Sequence, residues 1–380
     1  ATSPMDREVL DAYNRAQEAY FGNPSSLHSL GRDARKALDD ARTTLASCLG
    51  TAPERLVCTS GGSESNSIVL LSLLRKKKRG RVLISSIEHP AVYEYVSILS
   101  EAGFDVREIP ADARGIVTPD SVGELLTVDT QHVSVMTVNN ETGAIQPIRE
   151  IAGEIRSFEK RHGGDIHFHT DAVQAFGKIE LPLEEWKIDS ASFSAHKIGG
   201  PKGVGMLYLA GRLQPLLVGG GQEEGYRPGT ENVPSIAAFA EAARRRTEAL
   251  DENRERVTSL KRRVLATISS MDHVRPLPES LYGDAELYSP YILTFSASPV
   301  PGEVAVRVLN DRGFAVSTGS ACSSNKRKKR GRVLTSLGIP EEDAFGAVRI
   351  SFGWSTGMED VEALCTTLER ELPLLLETVR

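Results

Sequence analysis

The stretch Asp189-Ser190-Ala191-Ser192-Phe193-Ser194-Ala195-His196-Lys197-Ile198-Gly199-Gly200-Pro201-Lys202-Gly203 runs from a strand-like segment into a Gly/Pro loop that carries a lysine at its mouth. Outward from it, five more strand-like runs, at 56–59, 81–87, 132–138, 166–170 and 205–209, alternate with helical patterns. That alternation predicts an α/β domain built on a largely parallel sheet. Leu30, Ala34, Leu38, Ala41, Leu45 and Leu49 recur at spacings of three and four, which predicts an amphipathic helix ended by Gly50. A second helix is expected to start just after Gly61-Gly62-Ser63.

From Ser235 the pattern becomes a long charged helix with Leu250, Val257, Leu260, Val264 and Ile268 on its buried stripe. We read it as a bridge. It divides the chain into a large domain over 1–247 and a smaller α+β domain over 248–380, with short strands at 292–296 and 347–351 and a final helix from Asp360. At 380 residues the chain exceeds the usual size of one hydrophobic core, so two domains sharing a cleft are expected.

Composition narrows the classes. With 40% apolar and 25% charged residues the chain has material for a core, and no window approaches the roughly 18 apolar residues of a membrane span. The net charge of -6 argues against nucleic acid as a direct partner. Cys48, Cys58, Cys322 and Cys365 lack the paired spacing of a zinc site or a disulfide framework, which suggests a reducing, cytoplasmic setting. The chain opens on Ala1-Thr2-Ser3-Pro4 with neither an initiator Met nor a signal-like apolar stretch, so its true start is expected to be missing and organellar targeting stays open.

The lysine loop points to chemistry. A Schiff-base lysine needs a loop or strand end beside groups that hold its cofactor, and Lys197 has Ser194 and His196 as phosphate donors within three residues. A lone lysine in a glycine turn is usually a surface residue; other positions decide here. Pyridoxal phosphate withdraws electrons only while its ring nitrogen is protonated, which calls for a carboxylate. Asp171, ending the 166–170 strand, is the candidate, with Gln174 one turn on for the ring hydroxyl. Gly62 and Ser63, between a strand and a helix, offer backbone N–H groups to a phosphate. His89 follows another strand and is placed to stack on the ring.

Together these residues resemble the cysteine desulfurases of iron–sulfur cluster assembly, within the class V aminotransferases, which are fold type I pyridoxal-phosphate enzymes. The resemblance covers almost the whole chain. Ordered matches include Asn23-Pro24-Ser25-Ser26, Glu88-His89, Asn139-Asn140-Glu141-Thr142-Gly143, Asp171-Ala172-Val173-Gln174, Ser194-Ala195-His196-Lys197, Arg227-Pro228-Gly229-Thr230, Gly319-Ser320-Ala321-Cys322 and Arg349-Ile350-Ser351. It implies an α/β large domain with a mostly parallel seven-stranded sheet. Lys197 would bind the cofactor covalently, assisted by Asp171, Gln174, His89, Gly62, Ser63, Ser194 and His196. Thr230 would reach the phosphate of a neighbouring subunit in a homodimer, and Asn140 and Arg349 would bind the carboxylate of L-cysteine.

Cys322 decides the reaction that the resemblance implies. Small polar neighbours suit an exposed, reactive thiol, whereas Cys48 and Cys365 fall on amphipathic helices and Cys58 in a core strand. Sulfur would pass from L-cysteine to Cys322 as a persulfide and then to an acceptor such as an iron–sulfur scaffold protein, leaving alanine. Selenocysteine lyase or another class V enzyme is the nearest alternative; a transaminase needs no thiol. The basic run 326–332 is either a solvated face or a dock for an acidic acceptor. The run 75–79 reads as the last turn of a helix.

Overall fold

The computed structural model describes residues 2–319 and 331–378. Its centre is a seven-stranded sheet of β1 (Leu56–Thr59), β2 (Arg81–Ser85), β3 (Asp105–Ile109), β4 (Thr130–Ser134), β5 (His167–Asp171), β6 (Ser190–Ser194) and β7 (Gly205–Leu209), in the order β1-β7-β6-β5-β4-β2-β3. The pairings β3-β2-β4-β5-β6 are parallel, and β7 alone runs against its neighbours. Every residue of β6 and β7 is buried, because helices cover both faces of a parallel sheet.

The pattern reading missed β3. Its Asp-Val-Arg-Glu-Ile sequence exposes Arg107 and Glu108, as a charged edge strand does, and so lacks an apolar signature. The expected strand ends also move: 81–87 stops at Ser85, and 132–138 becomes Thr130–Ser134 with an isolated bridge from Val138 to Ile145.

The helix Ser29–Leu49 ends on Gly50 in the left-handed conformation, whose N–H bonds back to Ala46. One position on its stripe is corrected. Leu30 is 44% exposed, and Gly31 takes the buried place next to Ala34. The run 75–79 is likewise not a full helical turn. The helix Gly62–Ser72 passes into a 3-10 turn at Leu73–Arg75, and Arg79 folds back to donate to the carbonyls of Leu73 and Leu74.

The long charged helix from Ser235 is two helices, Val233–Glu248 and Leu250–Ser269, broken at Ala249. The break changes partners. Ile236, Phe239 and Ala243 join the apolar cluster around the large sheet, whereas Val257, Leu260, Val264 and Ile268 join a second cluster. That cluster lies on an antiparallel sheet of β8 (Arg275–Pro276), β9 (Ile292–Ser296), β10 (Ser317–Thr318) and β11 (Ala347–Ser351), in the order β10-β11-β9-β8. The final helix Met358–Thr378 covers it through Val361, Leu364, Leu368 and Leu372.

Candidate active site

In a parallel sheet ligands gather at the carboxyl ends of the strands. Here Lys197 follows β6, Asp171 ends β5, Asn140 follows β4 and His89 follows β2, so the sheet order sets these residues side by side. All four line one cavity of about 500 Å³. Gly62, Ser63, Gln174, Ser194 and His196 line it as well, and Arg349 closes it from β11 of the small sheet.

One wall is a turn between β1 and the eleven-residue helix Gly62–Ser72. The first N–H groups of that helix have no intrahelical acceptor, and the helix dipole adds positive potential. Backbone packing requires glycine here. Gly61 sits at φ 153°, ψ 179°, where only glycine is at ease, and a Cβ on Gly62 would lie 2.5 Å from Val173 Cγ2. Ser194 packs against this turn. His196 shares a hydrogen bond with Thr2 Oγ1 at 2.8 Å, and burial with the nearby Lys197 charge pushes its imidazole down to about 4, so it is neutral at pH 7.

Asp171 is 5% exposed and held on both oxygens: Val173 N–H donates to Oδ1 at 3.0 Å and Asn66 Nδ2 to Oδ2 at 2.8 Å. Lys178 Nζ donates to Gln174 Oε1 at 3.1 Å. That bond takes the amide oxygen and leaves the Gln174 NH2 for the cavity. Burial first, and then the Lys197 charge, push Lys178 down to about 7. His89 Nδ1 accepts from Ala91 N–H at 3.1 Å, which puts the ring proton on Nε2, and burial lowers its pKa despite Asp171.

Some residues here have no role assigned from the sequence. Asn66 lies one turn into a helix that opens with the polar run Ser63-Glu64-Ser65-Asn66-Ser67, so nothing in the sequence singles it out. Glu141 is 7% exposed; burial pushes it up to about 7, against the pull of Arg349 and Arg332. Glu88 has no exposure, and burial with the neighbouring Asp171 charge pushes it up to about 8. Arg332, at the end of the basic run, is only partly exposed: it donates to the carbonyls of Ser86 and Glu88 and lies 3.6 Å over the Tyr93 ring. Thr230 is exposed and outside the cavity lining. Cys322 and residues 326–330 lie outside the described residues; Gly319, three positions before Cys322, lines the cavity.

The other cysteines are poor nucleophiles. Cys58 is buried in β1 with its thiol pushed up to about 12 by burial, and burial raises Cys48 and Cys365 too. Among the described residues no group of His, Cys, Asp and Glu side chains is arranged to hold a metal ion, and no helix is long and apolar enough to cross a membrane.

A lysine, a buried carboxylate, a neutral histidine and a helix-end anion cradle on one parallel sheet define a pyridoxal-phosphate enzyme. The donor set fits that group, since the cradle offers N–H groups to a phosphate where a Cβ would intrude, and the Asp171 carboxylate faces the same cavity. The chain belongs to the class-V aminotransferase family, whose model matches residues 1–364.

It is similar to a protein named cysteine desulfurase IscS from Dictyoglomus turgidum, 36% identical over 97% of this chain and 92% of that one. A protein named cysteine desulfurase IscS 1 from Archaeoglobus fulgidus is 37% identical, over 100% of this chain and 96% of its own length. A solved structure described as a NifS-like protein superposes with a TM-score of 0.89 at 32% identity, covering 98% of this chain and 97% of that one.

Proposed function

We propose that this chain is a cysteine desulfurase, converting L-cysteine to L-alanine while the sulfur is left as a persulfide on Cys322. One observation carries the reading. Lys197 and Asp171 share a cavity with Arg349, a planar cation suited to a carboxylate, and the chain that lines the cavity at Gly319 reaches Cys322 three residues later. The relatives named cysteine desulfurase support it along the full chain.

Pyridoxal phosphate, when bound, supplies the electron sink for charge left on the substrate's Cα. Its phosphate would be held by Gly62, Ser63, Ser194 and His196, its ring nitrogen by Asp171, its hydroxyl by Gln174 and its face by His89. Arg349 and Asn140 hold the substrate carboxylate and so turn Cα toward Lys197. The Lys197 amine, exchanged for that of the substrate, takes the Cα proton. The Cys322 thiolate attacks the substrate sulfur; the S–S bond forms as the C–S bond breaks, and the carbon skeleton leaves as alanine after reprotonation.

The finer parts of the reading belong with it. The chain works as a homodimer in which Thr230, exposed and outside its own cavity, serves the neighbouring subunit's phosphate. The division at 247/248 separates a cofactor-binding domain from a smaller domain bearing Cys322. The persulfide passes to a sulfur-acceptor protein such as an iron–sulfur scaffold, in the cytoplasm. Incubation with L-cysteine, with alanine and sulfide measured, tests the activity; a protein that binds pyridoxal phosphate and releases neither product contradicts it.

A further inference from the structure

Behind Asp171 a line of polar side chains runs away from the cavity through the sheet. Asn66 Nδ2 lies 2.8 Å from Asp171 Oδ2, and Asn66 Oδ1 lies 2.9 Å from His169 Nε2. His169 Nδ1 is 2.8 Å from Ser190 Oγ, which in turn is 2.7 Å from His167 Nε2. Asn66, His169 and Ser190 are all 0% exposed, so the three bonds from Asp171 to Ser190 are shielded from water, and only the outer one, to the half-buried His167, lies nearer the surface.

The first link fixes the direction of all the others. A carboxylate accepts, so Asn66 donates with its nitrogen and turns its oxygen toward His169. His169 then carries its proton on Nε2, which leaves Nδ1 to accept from the Ser190 hydroxyl. The Ser190 oxygen accepts in turn from His167 Nε2–H. Each donor points toward Asp171. Such a chain needs a neutral His169, whose Nδ1 accepts, and burial pushes both His167 and His169 down to about 3. The ring of His132 stacks beside them, with centroids 5.5 Å from His167 and 6.3 Å from His169.

We infer that His169, backed by Ser190 and His167, is a positioning residue that locks the Asn66 amide so that Asp171 meets the cofactor's ring nitrogen in one fixed orientation. The inference rests on the reading of Asp171 given above. Without the His169 donor, the Asn66 amide is free to flip. A flipped amide sets its oxygen against a carboxylate oxygen, and the carboxylate turns away or takes a proton.

The test uses the full chain stripped of cofactor. Ring tautomers are read by 15N NMR, and equilibrium affinity for pyridoxal phosphate by quenching of tryptophan fluorescence. His169 is expected as a neutral Nε2–H tautomer from pH 5 to 9. His169→Leu and Asn66→Leu each weaken the affinity by about 10- to 100-fold, the range seen when groups that orient a ligating side chain are lost. The double variant is no weaker than either single one, and His169→Gln, which keeps a donor for Asn66, recovers most of the loss.

A His169 ring that titrates near pH 6.5, a proton on Nδ1, or a folded His169→Leu protein of unchanged affinity overturns the inference. If His169→Leu does not fold, the tautomer and the Asn66→Leu affinity decide. Asp171→Asn separates the two claims. If that change leaves affinity intact, the reading of Asp171 fails and takes the inference with it; if it abolishes affinity while His169→Leu does not lower it, only the inference falls.

Discussion

Arg349 Nη1 donates to the carbonyl oxygen of Asn140 at 2.8 Å, and this bond ties β11 of the small sheet to the loop that follows β4 of the large one. A second tie lies beside it, from Thr294 Oγ1 to the Glu141 carbonyl at 2.6 Å. Arg349, the cation proposed to bind the substrate carboxylate, is therefore fixed relative to the cavity wall by the backbone of the loop it faces. A lysine at this position keeps the charge and loses the planar fork.

Arg349→Lys is expected to raise KM for L-cysteine by about 10- to 100-fold, since a charge-assisted hydrogen bond contributes roughly 1.5–3 kcal/mol. Affinity for pyridoxal phosphate stays at the wild-type value. Steady-state kinetics with a parallel cofactor titration check it, and an unchanged KM would count against the assignment.

Gly205→Ala tests the cradle. A Cβ there would lie 2.5 Å from Gly61 Cα and 2.5 Å from the Phe193 carbonyl oxygen, so β7 or the turn must move. Overpacking of this kind costs about 1–3 kcal/mol. Urea unfolding should show that loss, and the cofactor should bind more weakly because the displaced turn carries the N–H groups of Gly62 and Ser63.

Glu88 gives a prediction in pH. With its pKa pushed up to about 8, Glu88 keeps its proton in the folded chain while the unfolded chain has released it. From about pH 4.5 to 8 the folded state binds more protons, so stability falls as pH rises. Glu88→Gln mimics the protonated acid and has no such dependence. Between pH 6 and 8 wild type should lose about 2 kcal/mol relative to the variant, measured by urea unfolding at both pH values; parallel curves would place the Glu88 proton elsewhere.

Much of this site is legible in the chain because its residues follow strand ends. Lys197, Asp171 and His89 each come directly after an apolar or strand-like run, so alternation along the sequence already orders them along a sheet edge. What hides is what packs behind. Asn66 and His169 are themselves fully buried but stand among other polar residues of their elements, so nothing in the sequence singles them out and only the fold reveals a partner 103 positions away. Arg332 hides for a different reason: it ends a run of solvated-looking charges, and its burial depends on Tyr93 and on carbonyls some 240 residues distant. The break at Ala249 is equally silent, because alanine favours helix and the chain bends there to serve two cores.

The central claim is that the sulfur of L-cysteine passes to Cys322. The most direct measurement incubates the enzyme with L-cysteine, traps persulfides by alkylation, maps them by mass spectrometry and quantifies alanine, for wild type and for Cys322→Ala. The account predicts a persulfide on Cys322 and none on Cys48, Cys58 or Cys365, with Cys322→Ala still binding pyridoxal phosphate but forming no alanine. Undiminished alanine from Cys322→Ala, or a persulfide on one of the other three cysteines, would contradict it.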